Sequence, residues 1–126
     1  MKLYEQIGGL EKLQLIVDEF VDTMFNDIMI GFFFSKIDKN RVKQKEFEFL
    51  AEFLGADIVY TGEPIKEVHQ KHNIMGGQFS RRKQILKETL EKNLINNEII
   101  EKIMEHTENF RMSIAKTKNS DCKSRN

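Results

Sequence analysis

Residues 9–26, GLEKLQLIVDEFVDTMFN, carry the hydrophobic pattern that decides the fold. Apolar side chains recur there in steps of three and four residues, at Leu10, Leu13, Ile16, Val17, Phe20, Val21, Met24 and Phe25. Acidic residues occupy the opposite face, at Asp18, Glu19 and Asp22. This spacing predicts an amphipathic helix from Gly9 to Asn26, with one face buried in a core.

The segments on either side predict further helices. Asp38 can cap a helix from Lys39 to Leu54, which Gly55 ends. The apolar run 28–34 fits either a buried strand or a buried connection, and with no second strand nearby we interpret it as a helical connection. Shorter helices or turns are predicted at 4–7, at 65–71 and around Phe79–Leu90. A last helix is predicted after a cap at Asn96 or Asn97. Its buried face would hold Ile99, Ile100, Ile103, Met104, Phe110 and Ile114. The chain is therefore predicted to be all-α, with loops at 55–65 and 73–77.

The composition bounds the class of protein. The 126 residues predict a single domain over 1–116, followed by a polar, disordered tail over 117–126. Lys plus Arg and Asp plus Glu both number 20, and this zero net charge argues against a nucleic-acid partner. No apolar run is long enough to span a bilayer, and residues 1–6 lack the apolar core of a signal peptide. We therefore expect a cytoplasmic protein without a membrane partner.

The ten phenylalanines, without any tryptophan, need an explanation in so small a domain. They form either an aromatic core or a pocket for a large flat ligand. Two basic clusters, at 39–45 and 81–83, are interpreted as solvated helix faces. The pairs Gly8-Gly9 and Gly76-Gly77 are interpreted as turns.

The three histidines limit the metal chemistry that the chain permits. His106 is interpreted as a histidine at the surface or at an edge, whereas His69 and His72 are three residues apart on the predicted short helix. That pair lacks the third protein ligand that a zinc site requires. Haem iron needs only one neutral imidazole from the protein, and apolar aromatic side chains can line the rest of such a pocket.

Five motifs in order resemble a known family. They are Leu3–Gly9, Val17–Phe20, Phe33-Phe34 followed by Asp38, Phe49-Leu50 with Gly55, Tyr60 and Gly62, and Val68-His69 followed by Ile74 and Phe79. The chain resembles the first group of truncated haemoglobins, which are shortened globins with a two-over-two helical sandwich around a haem. The resemblance covers residues 3–95.

The resemblance implies haem b (iron protoporphyrin IX) as the cofactor and assigns each site residue a role. His69 would be the proximal iron ligand, and Phe34 would pack on the face of the haem. The remaining residues that would contact the cofactor are Phe33, Val42, Lys45, Glu46, Phe49, Leu50 and Phe79.

The distal side departs from the family pattern. Val21 stands where the family has a tyrosine that donates a hydrogen bond to the ligand, and valine has no donor. The two distal glutamines of the family correspond to Val42 and Glu46, with Lys45 beside them. Lys45 could be a sixth iron ligand, could contact a haem propionate, or could pair with Glu46. We expect oxygen to be held less tightly than in relatives that keep the tyrosine.

These features predict a protein that reversibly binds a diatomic gas at iron held by His69: oxygen first, with nitric oxide or carbon monoxide as further ligands. The expected partners are the gas and, for redox chemistry, a reductase; the chain is expected to be a monomer or a weak oligomer. One alternative is a haem enzyme or gas sensor that acts on peroxide, nitrite or nitric oxide through Glu46 and Lys45. Another is a globin-shaped interaction module without haem, which His69 and the phenylalanines argue against.

Overall fold

All regular secondary structure in the described part of the chain is helical. The structure is a computed structural model that describes residues 1–62 and 76–109. In order, the elements are α1 (Leu3–Gln6), α2 (Gly9–Phe25), a 3₁₀ helix (Gly31–Phe34), α3 (Lys39–Phe53), α4 (Gly76–Lys92) and α5, described over 97–109. The predictions at 65–71, at Phe110 and Ile114, and for the tail 117–126 lie outside the described residues.

Helix α2 supplies the centre of the core. Its predicted apolar face is buried at Leu13, Ile16, Val17, Phe20, Val21 and Met24. It packs against α3 on one side and α4 on another. The other helices complete the core with Leu50, Leu54, Ile85, Leu86, Leu90, Ile99, Ile100 and Ile103. The helix predicted over 9–26 is therefore confirmed, and it ends at Phe25.

Helix α3 begins and ends where its sequence predicts. The Asp38 carboxylate accepts a hydrogen bond of 3.0 Å from the backbone N–H of Asn40, which satisfies one of the donors at the helix start. After the helix, Gly55 adopts φ +91°, a left-handed conformation that favours glycine. The predicted cap and stop of this helix are both confirmed.

The connection between α2 and α3 is compact and contains no strand. It includes one turn of 3₁₀ helix, so the interpretation of residues 28–34 as a helical connection is confirmed. A Cβ atom at Gly31 would lie 2.6 Å from the carbonyl oxygen of Phe25, so only glycine fits this close approach of two backbone segments. The Phe34 ring then stacks on Phe25, with 4.8 Å between the ring centroids. This connection brings the predicted haem-facing Phe34 back against α2.

Two glycines do not form the predicted turn. Gly76 and Gly77 belong to α4, so the loop predicted over 73–77 is wrong at its end. Glycine lowers helix propensity by about 1 kcal/mol relative to alanine, but burial of Phe79, Ile85 and Leu86 stabilises this helix through tertiary packing.

Within residues 1–62 and 76–109, no helix is long and apolar enough to cross a membrane.

Candidate cofactor site

Apolar side chains of the 3₁₀ helix and α3 remain incompletely buried. Phe33, Phe34, Val42 and Phe49 are all half-buried. Two other residues predicted for the same pocket, Leu50 and Phe79, are buried. Half-exposed aromatic and aliphatic side chains offer apolar surface that a flat hydrophobic cofactor would cover. The predicted pocket wall therefore has the chemistry that a haem requires.

An aromatic cluster joins α3 to α5. The ring of His106 stacks on Phe53 at 4.0 Å and lies 5.2 Å from Phe49, while Tyr60 meets Phe49 edge-on at 5.6 Å. His106 is half-buried, and this burial lowers the pKa of its imidazole below the usual 6.5. The interpretation of His106 as a surface or edge residue missed these contacts. Its spacing of seven residues from the buried Ile99 is the signal that could have found them.

Lys45 does not pair with Glu46, so that option for the distal side is wrong. Its Nζ donates a hydrogen bond of 2.6 Å to Thr61 Oγ1 and lies 3.8 Å from Glu48 Oε1. Hydrogen bonds from the side chain and backbone of Thr61 lower the pKa of the Glu48 carboxyl below its usual value. The Lys45 ammonium is therefore directed along α3 towards residue 61.

Glu46 pairs instead with Arg82, across the interface between α3 and α4. Arg82 Nη2 donates to both carboxylate oxygens of Glu46, at 2.7 and 2.9 Å. The guanidinium carbon lies 5.2 Å from the centroid of the Phe20 ring on α2. Both charged side chains are largely buried, so Arg82 is not part of a solvated helix face.

The neighbours of Arg82 also form ion pairs between elements. Arg81 donates through Nε and Nη2 to Asp27 Oδ1, at 2.9 and 2.7 Å, and Lys83 lies 3.0 Å from Glu108 on α5. The Arg81 hydrogen bond lowers the pKa of the Asp27 carboxyl below its usual range. The prediction of a solvated basic face at 81–83 is therefore wrong, because tertiary packing places carboxylates from three other segments against this face.

The other basic cluster also faces acidic residues. Lys43 Nζ lies 3.1 Å from Asp22 Oδ1, and Lys39 lies 3.4 Å from the same oxygen. These pairs join α3 to α2, so this cluster too is more than a solvated face. The sequence signal was present in the acidic face of α2, although only the packing angle of the two helices decides which charges meet.

Of the remaining predicted site residues, one lies in the core and the others lie outside the described residues. Val21 is completely buried in the core. His69 and His72 lie outside the described residues. Among residues 1–62 and 76–109, no group of three or more His, Cys, Asp or Glu side chains could hold a metal ion.

Comparison with known proteins identifies the family. A family model described as bacterial-like globin matches residues 2–116. The chain belongs to the bacterial-like globin family. This globin is 39% identical over 77 residues to a group 1 truncated haemoglobin of Mycolicibacterium paratuberculosis, an alignment that covers 61% of this chain and 57% of the relative. The chain thus spans less than two thirds of that relative's length.

Solved structures confirm the predicted fold. The globin superimposes with a TM-score of 0.83 on a mutant, ferric form of the truncated haemoglobin from Tetrahymena pyriformis, at 23% identity over 90% of this chain and 97% of that one. It superimposes equally well, with a TM-score of 0.83, on the 2/2 haemoglobin of Synechococcus sp. PCC 7002, at 21% identity over 90% and 98% of the two chains. The predictions of a group I truncated haemoglobin and of its two-over-two helical fold are confirmed, and the family supports haem as the cofactor.

Proposed function

We propose that this globin holds haem b through His69 and reversibly binds a diatomic gas at the iron. The observation that carries the proposal is the match of the globin family model to residues 2–116, together with the half-buried apolar side chains of α3 and the 3₁₀ helix. When bound, the haem supplies an iron centre at which a gas binds. The protein residues supply the apolar surroundings, the proximal imidazole and the polar groups near the ligand.

The apolar residues of the site are proposed to cover the haem from several elements. Phe34 would pack against the macrocycle, with Phe33, Val42, Phe49, Leu50 and Phe79 as pocket wall. The half-burial of Phe34 supports this role, because its stacking on Phe25 leaves part of the ring exposed. We propose that residues 1–116 form the single globin domain.

Lys45 is proposed to contact a haem propionate rather than the iron. Its ammonium already lies near the hydroxyl of Thr61 and the carboxylate of Glu48, and it is partly exposed. A charged ammonium beside solvent suits an anionic propionate, whereas coordination of iron requires a deprotonated amine.

Substitution of the two neighbouring histidines tests the proposed cofactor binding. We expect His69→Ala to lose stable haem binding, because it removes the axial imidazole, and His72→Ala to keep it. The visible absorption spectra of the purified ferric and ferrous proteins measure this difference. The proposal fails if the wild-type protein takes up no haem, or if His69→Ala keeps the wild-type spectrum.

The buried valine on the distal side is proposed to leave oxygen weakly held. Val21 cannot donate a hydrogen bond, and Val21→Tyr would introduce a phenolic donor. We expect this substitution to slow oxygen dissociation by about two- to tenfold, the effect of one neutral hydrogen bond. Stopped-flow measurement of the oxygen dissociation rate tests the proposal.

The matched control for this experiment is Val21→Phe, which adds the same ring without the hydroxyl. It should disturb packing to a similar degree and should not slow dissociation through a hydrogen bond. A slow wild-type rate that Val21→Tyr leaves unchanged would show that another group already retains the oxygen.

A further inference from the structure

The ion pair between Glu46 and Arg82 is built differently from the pair next to it. The Asp27 carboxylate, which accepts from Arg81, also accepts backbone hydrogen bonds from Met29 and Ile30, at 3.0 and 3.2 Å. These bonds fix Asp27 within its own connection and make Arg81 a structural clamp. Glu46 lies in the middle of α3, where its carboxylate engages only one nitrogen of Arg82, Nη2.

Among the described residues, Glu46 engages only part of the hydrogen-bond donor set of Arg82. A guanidinium has five N–H groups, and Glu46 engages only those of Nη2. Among residues 1–62 and 76–109, the hydrogen bonds of Arg82 both come from Nη2, and neither Nε nor Nη1 donates to a described acceptor. The side chain is only 15% exposed, and its charge lies over the ring of Phe20. Such a group is suited to bind an anion that enters beside it.

The pair lies beside residues that the resemblance assigns to the ligand side of the haem. The guanidinium of Arg82 lies 5.2 Å from the ring centroid of Phe20 on α2, and Glu46 occupies the position that the resemblance assigns to a distal glutamine. The pair thus joins the three helices α2, α3 and α4 at this place. Resting on the haem function proposed above, we propose that Arg82 makes the ligand site favour small anions over neutral diatomic gases.

The selectivity follows from competition for the guanidinium. A ligand with a full negative charge can accept charge-assisted hydrogen bonds from Nε or Nη1, and it can compete with the Glu46 carboxylate. A neutral gas carries at most a partial charge and competes poorly. Low polarity around the pair strengthens both the attraction of Arg82 for an anion and the repulsion of that anion by Glu46.

Anion titrations of the ferric holoprotein test this inference. Azide and fluoride serve as anionic probes, and imidazole serves as a neutral probe. The binding of each probe is followed by the change in the haem absorption spectrum. This spectrum responds to binding at the iron and so separates it from binding elsewhere. We expect Arg82→Met to weaken azide and fluoride binding by about tenfold or more, with little change for imidazole. Arg82→Lys should retain part of the affinity, because it keeps the charge without the planar fork.

Arg81→Met is the matched control. It removes a neighbouring arginine with an equally short ion pair, yet it lies on the Asp27 clamp and not at Glu46. It should lower the stability of the protein while leaving both anion affinities at the wild-type level. An equal loss of anion affinity in Arg81→Met would overturn the inference, because a general loss of charge or stability would then explain the result.

Glu46→Gln separates ligand recognition from a merely structural pair. Breaking the pair from either side should lower the unfolding midpoint of the holoprotein. However, Glu46→Gln should strengthen anion binding, because it removes the competing negative charge, whereas Arg82→Met weakens it. Equal anion affinities in wild type and Arg82→Met, or a loss in Glu46→Gln that matches the loss in Arg82→Met, would overturn the inference.

The two proposals fail in distinguishable ways. A wild-type protein that binds no haem would overturn the proposed function and this inference together. A protein that binds haem through His69 but shows no dependence of anion affinity on Arg82 would overturn this inference alone.

Discussion

At the scale of single residues, the environment of His106 differs from what its neighbours in the sequence indicate. It lies between Glu105 and Thr107, yet its ring stacks on Phe53 and Phe49. Burial lowers its pKa, so the folded protein favours the neutral imidazole. In the unfolded chain the same side chain takes up a proton below its ordinary pKa of 6.5. The contribution of His106 to the free energy of unfolding therefore decreases as the pH falls below 6.5.

Replacement of His106 by phenylalanine tests this pH dependence. We expect His106→Phe to keep the aromatic stack. It should also remove the uptake of up to about one proton on unfolding, and so flatten the slope of the free energy of unfolding against pH between pH 6.5 and the lowered pKa of the folded state. Urea unfolding of the holoprotein on both sides of pH 6.5 measures the difference. His69 and His72 remain in both proteins, so their titration cancels in the comparison. Identical slopes for the two proteins would contradict the prediction.

At the scale of elements, the connection between α2 and α3 depends on one glycine. Gly31 begins the 3₁₀ helix, and its backbone approaches the end of α2 so closely that a methyl group would meet the Phe25 carbonyl oxygen. That contact is with backbone, which cannot move away as a flexible side chain can. The stacking of Phe34 on Phe25 depends on this path of the chain. A single residue therefore connects the end of α2 to the placement of a predicted haem-facing ring.

A pair of glycine substitutions tests this dependence. We expect Gly31→Ala to lower the free energy of unfolding by about 1–3 kcal/mol, the usual cost of overpacking. Gly77→Ala is the control, because no atom lies within 4 Å of a Cβ built there and the residue is helical. It should stabilise the protein by about 0.5–1 kcal/mol. Urea denaturation of both variants gives the two values, and similar destabilisation in both would argue against the close approach at Gly31.

At the scale of the whole molecule, ion pairs connect α4 to several other segments of the described chain. Three consecutive residues, Arg81, Arg82 and Lys83, reach carboxylates on the α2–α3 connection, on α3 and on α5. These partners are 54, 36 and 25 residues away in sequence. The net charge of zero therefore does not reveal how the charges are arranged: basic and acidic residues from distant segments form ion pairs between helices.

The sequence by itself determined the helices and the family. Steps of three and four residues predicted α2, and Asp38 and Gly55 predicted the bounds of α3, because periodicity, caps and glycine conformations are local properties of the chain. The motifs from Leu3 to Phe79 resemble those of the truncated haemoglobins, and this resemblance implied the two-over-two globin and its haem. The same locality explains the error at Gly76 and Gly77: a glycine pair resembles a turn until distant packing stabilises a helix through it.

Only the tertiary structure decided which charged and aromatic side chains meet. The sequence left Lys45 and Glu46 as candidate partners because they are adjacent, yet adjacent residues on a helix point in different directions. The folded chain instead brings Glu46 on α3 to Arg82 on α4, and it places His106 of α5 on Phe53 of α3. Contacts between helices depend on their crossing geometry, which no local pattern encodes. For that reason the polar side of the candidate ligand site could be read only from the folded chain.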